Sequence, residues 1–365
     1  MSEGKAQFPI HGETAETWYR VDGDLRLDDP DAPAPLVTLH GGPGATHDYL
    51  LPLVDLANDR AVVFYDQIGN GRSTHYPGRN GDFWTVDLFV RELHNLVDSL
   101  GISGRHHVLG SSWGGFLAQE YALTHPRGLK SLVLTDTAAS FPDFVTEANR
   151  LRGELPREVE ATLKRHEEAG TTDDPGYEEA CMVFYKRHLC RLDPWPPELI
   201  EAFGWIDKDP TVYHTMNGPS EFHVIGSIKD WQSKDRLGEI EVPTLLTSGR
   251  YDEATPALQE TLQAGIPNSE WVLFEESSHT PFAEERNRYM QVVGDWLDHA
   301  LDACTRTSRD ERDCEHDQRH NDLERVQRQQ SVQDQHRSPH PGQRLAGRYR
   351  SGYRPNGLIA TPQDG

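Results

Sequence analysis

The sequence predicts an α/β fold, a mostly parallel sheet flanked by helices and carrying a helical insertion, on three observations. Short apolar, β-rich runs alternate with longer amphipathic segments, the pattern of parallel strands joined by crossover helices. One stretch, 141–236, breaks the alternation and offers helical patterns only. A serine flanked by glycines follows one of the apolar runs and precedes a helical run, which is the setting of an exposed nucleophile.

The first predicted strands are Leu36 to Leu39, Val62 to Tyr65 and His107 to Leu109. Leu132 to Thr135, Thr244 to Thr247 and Trp271 to Phe274 complete the set, each short and uninterrupted enough to be buried on both faces. Between them, Val86, Phe89, Val90, Leu93, Val97 and Leu100 recur at three- and four-residue steps, with Thr85 placed to cap the helix and Gly101 to stop it. Further helices are expected from Phe116 to Ala122 and from Arg286 to Leu301, the latter carrying Tyr289, Val292, Val293, Trp296 and Leu297 on one face. The expected organisation is a first core part at 1–140, a helical cap at 141–236, a second core part at 237–302 and a disordered tail at 303–365, where Gln, Arg, His and Pro replace the apolar residues.

Composition narrows the function. The net charge is −23, and the tail, with 11 Arg against 9 acidic residues, contributes none of the excess. So acidic a body repels polyphosphate and disfavours nucleic acid as a partner, while favouring neutral or cationic small molecules. No apolar run approaches the ~18 residues of a membrane helix, and the opening MSEGKAQFPI has no apolar stretch behind a basic start, so a cytoplasmic protein is expected. The four cysteines are irregularly spaced, which suits free thiols better than a disulfide framework. In the tail, Cys304, Cys314, His316 and His320 lack the close Cys pair of structural zinc sites, so no metal is expected there.

Gly110-Ser111-Ser112-Trp113-Gly114 is a G-x-S-x-G motif. Its turn is sharp enough to strain the nucleophile and to exclude side chains at the flanks, hence the glycines. Ser112, central between them, is the candidate nucleophile, and Ser111 is the alternative beside it. A serine hydroxyl needs a general base, and the base needs an orienting carboxylate, in the chain order Ser, acid, His. Asp252 and His279 follow consecutive predicted strands in that order, with Glu275 and Glu276 as competing acids close to the histidine. After Leu39 comes His40-Gly41-Gly42-Pro43-Gly44, whose glycines let backbone amides approach a ligand. The N–H groups of Gly42 and Trp113 are therefore the expected oxyanion donors.

Together HGGPG, the DQIGNGRS run at 66–73, GSSWGG around Ser112 and GRYDEATP around Asp252 resemble the proline iminopeptidases, serine aminopeptidases of the α/β-hydrolase fold. The resemblance runs from about Phe8 to Leu301 and takes in NGPSEF at 217–222, which is similar to the family's cap segment; the tail has no counterpart. It implies release of an N-terminal residue, typically proline, from a peptide or amide, without cofactor or metal. It also implies that Glu221 and Glu253 bind the substrate's free ammonium group. A pair of carboxylates can do so by charge-assisted hydrogen bonds. Related L-amino-acid amidases share the pattern and are the alternative; a non-catalytic binding module on the same fold is the third reading. Trp231, Phe141 and Tyr185 are candidate apolar walls for a pyrrolidine ring, and Cys181 and Cys190 are expected to be buried as small hydrophobes.

Overall fold

A computed structural model describes residues 1–298; the expectations for the tail, including its Cys and His residues, lie outside the described residues. Among these, eight strands form one sheet in the order β1-β2-β4-β3-β5-β6-β7-β8. The first pair, β1 (Ser2–Ile10) and β2 (Glu13–Asp22), is an antiparallel hairpin, and β2 pairs antiparallel with β4. From β4 onward the sheet is parallel: β3 (Leu36–Leu39), β4 (Val62–Tyr65), β5 (His106–Ser111), β6 (Leu129–Thr135), β7 (Thr244–Gly249) and β8 (Ser269–Phe274).

Successive strand residues enter opposite cores, the period of two that a sheet covered on both faces requires. Val37, Leu39, Val63, Tyr65 and Val108 join one cluster, with Leu88, Phe89 and Leu93 of α1 (Val86–Ser99) and Leu117 and Tyr121 of α2 (Trp113–Ala122). Leu36, Val62, Phe64, Leu109 and Val133 join the other, with Leu50 and Leu53 of a 3₁₀ segment (His47–Asn58) and Tyr289, Val293 and Leu297 of a helix over residues 286–298. Thr85 caps α1 as expected, its hydroxyl accepting from Leu88 N at 3.2 Å, and Gly101 follows the helix at φ +70°.

Between β6 and β7 lie α3 (Phe141–Arg152), α4 (Arg157–Ala169), α5 (Pro175–His188), α6 (Pro197–Lys208) and α7 (Thr211–Met216). No strand of the sheet interrupts them among the described residues. After β7 come α8 (Pro256–Gly265) and, after β8, the short α9 (Pro281–Glu284).

Several expectations need correction. The hairpin β1-β2 was not anticipated: half of β1 faces solvent, so only Ala6, Phe8 and Ile10 mark its buried face. The strand expected to end at Leu109 runs on to Ser111, and the helix expected from Phe116 begins at Trp113, leaving Ser112 alone as the turn. The run ending in Phe274 is an edge strand, buried fully only at that residue, because β8 has a neighbour on one side alone. No described helix is long and apolar enough to cross a membrane.

Candidate active site

The turn between β5 and α2 forces Ser112 into φ +57°, ψ −125°, a conformation costly for any residue but glycine. The glycines two residues to either side cannot carry side chains: a Cβ on Gly110 would lie 2.1 Å from Gly114 O, and one on Gly114 would lie 2.1 Å from Leu39 O. The strain is held by Ser112 N donating to Thr135 O at 3.0 Å and by Thr137 Oγ1 donating to Ser112 O at 2.9 Å. Ser111, the alternative, is fully buried and turned into the protein.

The β7-α8 loop carries Asp252 and the loop after β8 carries His279. His279 Nδ1 donates to Asp252 Oδ1 at 2.6 Å, and the same oxygen accepts from Ala254 N at 2.8 Å, so the carboxylate is fixed from its own loop. Of the competing acids, Glu275 forms a bidentate pair with Arg250, and Glu276 is exposed on the surface. Ser112, His279, Glu221, Glu253 and Gly42 line one half-open cavity of about 490 Å³, including the space at its mouth. His279 turns Nδ1 to Asp252, and both His279 and Ser112 line the cavity. Burial alone would lower His279, but the Asp252 carboxylate, reinforced by Glu253 and Glu221, lifts it to about 9.

Both expected amine anchors reach the cavity. Glu253, 1% exposed, leaves Oε2 unpartnered and brings Oε1 to 3.9 Å from His279 Nε2. Burial pushes it well above the ordinary carboxylate range; the His279 charge opposes this, and Glu221 and Asp252 add to it. Glu221, in the segment after α7, accepts from Tyr213 OH at 2.7 Å, and burial raises it too. The backbone of Tyr213 packs on the glycine loop: a Cβ on Gly44 would lie 3.0 Å from Tyr213 N.

The glycine loop and the nucleophile turn are joined by a residue of the DQIGNGRS run. Gln67 Nε2 donates to His40 O at 2.9 Å, Gln67 N donates to His40 Nε2 at 3.0 Å, and Gln67 Oε1 accepts from Trp113 Nε1 at 2.9 Å. Burial lowers His40 to about 4, which keeps its ring neutral and lets Nδ1 donate to Gly41 O. Gly41 N is committed to Tyr49 OH, whereas the Gly42 and Trp113 amides take no part in the turn and cap bonds of the described residues. The preceding Asp66 accepts from His47 N and Arg72 N, and Arg72 lies over the rings of Trp18 and Trp205, linking the sheet to α6.

Sequence reasoning missed two of these residues. Gln67 was read only as part of a motif, and its reach to Trp113 is not visible in linear spacing. Asp136, the residue directly after β6, is fully buried at φ +50° and accepts from Gly249 N. One of its oxygens, one of Asp252 and a nitrogen of His279 lie within 4.8 Å of one another. Burial and the Asp252 charge hold it well above the ordinary carboxylate range. An acid at the carboxyl end of a buried strand was the available signal.

The expected apolar walls are only partly in place. Phe141 lines a second, smaller cavity with Ser112, Trp113, Phe116, Phe144 and Glu221. Trp231 instead packs edge-on to Phe116, its Nε1 donating to Glu120, and Tyr185 packs on Phe184 and Phe222; neither lines either cavity, although Tyr185 lies near enough to Glu221 and Glu253 to feel their charge. Tyr185 is buried among aromatic residues of α5 and the 217–222 segment, whereas Trp231 is half-buried against α2 and Phe141. Cys181 and Cys190 are free and buried, as expected.

A family profile described as alpha/beta hydrolase fold matches residues 34–286. The proline iminopeptidase of Saccharolobus solfataricus is 41% identical over 281 residues, covering 77% of this chain and 87% of that protein. That of Thermoplasma volcanium is 40% identical over 261 residues, covering 71% and 87%. Among solved structures, VinJ is similar at 47% identity and a TM-score of 0.77 over 81% of this chain and 99% of that one. A proline iminopeptidase of Mycobacterium smegmatis is similar at 41% and 0.73 over 82% and 100%.

Proposed function

The chain belongs to the proline iminopeptidases within the α/β-hydrolase fold family, and from that premise we infer that it is a serine hydrolase releasing an N-terminal residue, proline by preference, from peptides or amides. The observation that carries this reading is that Ser112, His279, Glu221 and Glu253 face one cavity while Asp252 is bonded to the far side of the imidazole. Ser112 Oγ attacks the carbonyl carbon next to the free amine, and its proton passes to His279 Nε2. The oxyanion forms against the N–H groups of Gly42 and Trp113, which are fixed before the reaction and so contribute without reorganisation. When the C–N bond breaks, the imidazolium gives that proton to the leaving nitrogen. Water, deprotonated in turn by His279, then hydrolyses the acyl-enzyme and frees the amino acid.

Glu221 and Glu253 hold the ammonium or secondary ammonium group and so limit the reaction to the first residue of a chain. Phe116, Phe141 and Phe144 give the space beside Ser112 an apolar wall. The acidic surface argues for small substrates rather than nucleic acid, and the two buried free thiols support a cytoplasmic setting.

Two measurements test the reading. Ser112→Ala should abolish turnover of a prolyl arylamide with the far-ultraviolet spectrum unchanged; retained activity refutes the nucleophile. A panel of prolyl peptide, prolyl arylamide, prolinamide, alaninamide and leucinamide should rank the prolyl peptide and arylamide first. A preference for the simple amides would make the protein an amino-acid amidase instead.

A further inference from the structure

The carboxylates assigned to the substrate's amine also face the catalytic base. His279 Nε2, the nitrogen that must take the Ser112 proton, is 3.9 Å from Glu253 Oε1. The titratable groups around it are Asp252 and Glu253 from the β7-α8 loop, Glu221 from the segment after α7 and Asp136 from the end of β6, with His188 of α5 acting on Asp252 and Glu284 of α9 bonded to the amides of Ser278 and Thr280 on either side of His279. Tyr213 of α7, Tyr185 of α5 and Tyr49 of the 3₁₀ segment face the same carboxylates with neutral hydroxyls. No Lys or Arg lines the cavity among the described residues. Burial drives Glu221 and Glu253 toward their neutral acids; either stays ionised in this cavity only beside a counter-charge, and the imidazole is the one cavity side chain able to supply it.

We propose that the substrate's ammonium group switches on the general base: in the empty site Glu221 and Glu253 keep a proton on His279, and a seated amine takes over as their counter-ion and releases it. The proposal rests on the assignment of the two glutamates as amine anchors. The proton balance is closed. The ammonium enters with its charge, the proton on Nε2 leaves to bulk water, and the charge of the cluster is unchanged. Nε2 is then a free lone pair aimed into the cavity when Ser112 must be deprotonated. A substrate without an amine meets a base that is already protonated. Selection for a free N-terminus is therefore exerted on the chemical step as well as on binding. His279, lifted to about 9, is then mostly protonated in the empty site near neutral pH.

The test compares substrates with and without the amine. For p-nitrophenyl acetate, kcat/KM should rise with pH along a limb centred near 9, while kcat for a prolyl arylamide should have its limb at least about one pH unit lower. Glu253→Gln, and independently Glu221→Gln, should move the acetate limb to lower pH and raise acetate turnover at pH 7 several-fold while weakening the arylamide. Calorimetry of prolinamide binding to Ser112→Ala at pH 7.5, as a ~neutral-pH reference, in two buffers of different ionisation enthalpy should show close to one proton released per ligand bound. Binding without proton release, or acetate and arylamide limbs at the same pH, overturns the switch and leaves the anchors standing. No binding of prolinamide to Ser112→Ala overturns the anchor assignment itself.

Discussion

Replacing Gln67 by leucine tests whether one buried amide holds both halves of the oxyanion site. The substitution keeps the backbone bond to His40 Nε2 and removes two side-chain bonds, leaving Trp113 Nε1–H and the His40 carbonyl without partners in a region with no exposed atoms to take over. A buried polar group left unpaired costs about 1–3 kcal/mol, so the pair should cost about 2–6 kcal/mol out of a total stability of about 5–15 kcal/mol. The same two bonds set the spacing between the glycine loop and the nucleophile turn. Loss of kcat on a prolyl arylamide should therefore accompany the loss of stability, up to the ~10²–10³-fold of a missing oxyanion donor, with KM little changed. Trp113→Phe separates the two effects, because it deletes the orphaned donor. The double variant should be more stable than the sum of the single losses allows, by about 0.5–3 kcal/mol of coupling. Urea unfolding followed by fluorescence and circular dichroism supplies the stabilities, and initial rates supply kcat and KM. Strict additivity, or a Gln67→Leu protein within about 0.5 kcal/mol of the parent, refutes the clamp.

Three further outcomes are expected. Glu221→Gln should raise KM for prolyl arylamide by about 10- to 100-fold, the loss of one charge-assisted contact, and equal losses on a neutral ester would remove it from the amine site. Gly114→Ala should abolish folding or activity, since its Cβ would meet Leu39 O at 2.1 Å, whereas Gly104→Ala, with nothing within 4 Å, should melt like the parent. Glu92, on the buried face of α1 and accepting from Thr17 Oγ1 and Ile68 N, is raised by burial to about 8. The folded state then holds a proton that the unfolded state, near 4.5, has lost, so stability falls as pH rises from about 4.5 to about 8. Glu92→Gln should flatten that decline in chemical denaturation at pH values spanning this window, and an unchanged slope would show that Glu92 titrates normally.

By itself the sequence determined the parallel core, the sharp turn at Ser112 and the chain order of the proposed triad. Strands buried on both faces are continuous apolar runs, and the glycines at 110, 114 and 42 are dictated by backbone contacts too close for any Cβ. These are local constraints, and local constraints leave a mark in linear spacing. The half-exposed hairpin β1-β2 escaped because an antiparallel edge buries every second residue only, a weaker signal than an apolar run. Family resemblance supplied Glu221 and Glu253 as a pair, but not their position against His279. That Glu253 lies beside Nε2, that Asp136 joins Asp252 from a different strand, and that Gln67 bridges His40 to Trp113 were decided by the tertiary structure alone. Each depends on which strand neighbours which in the sheet and on how far a side chain reaches across it. Charge coupling through a buried cavity follows distance in space, and residues such as 221, 253 and 279 have none of that distance written in their numbering.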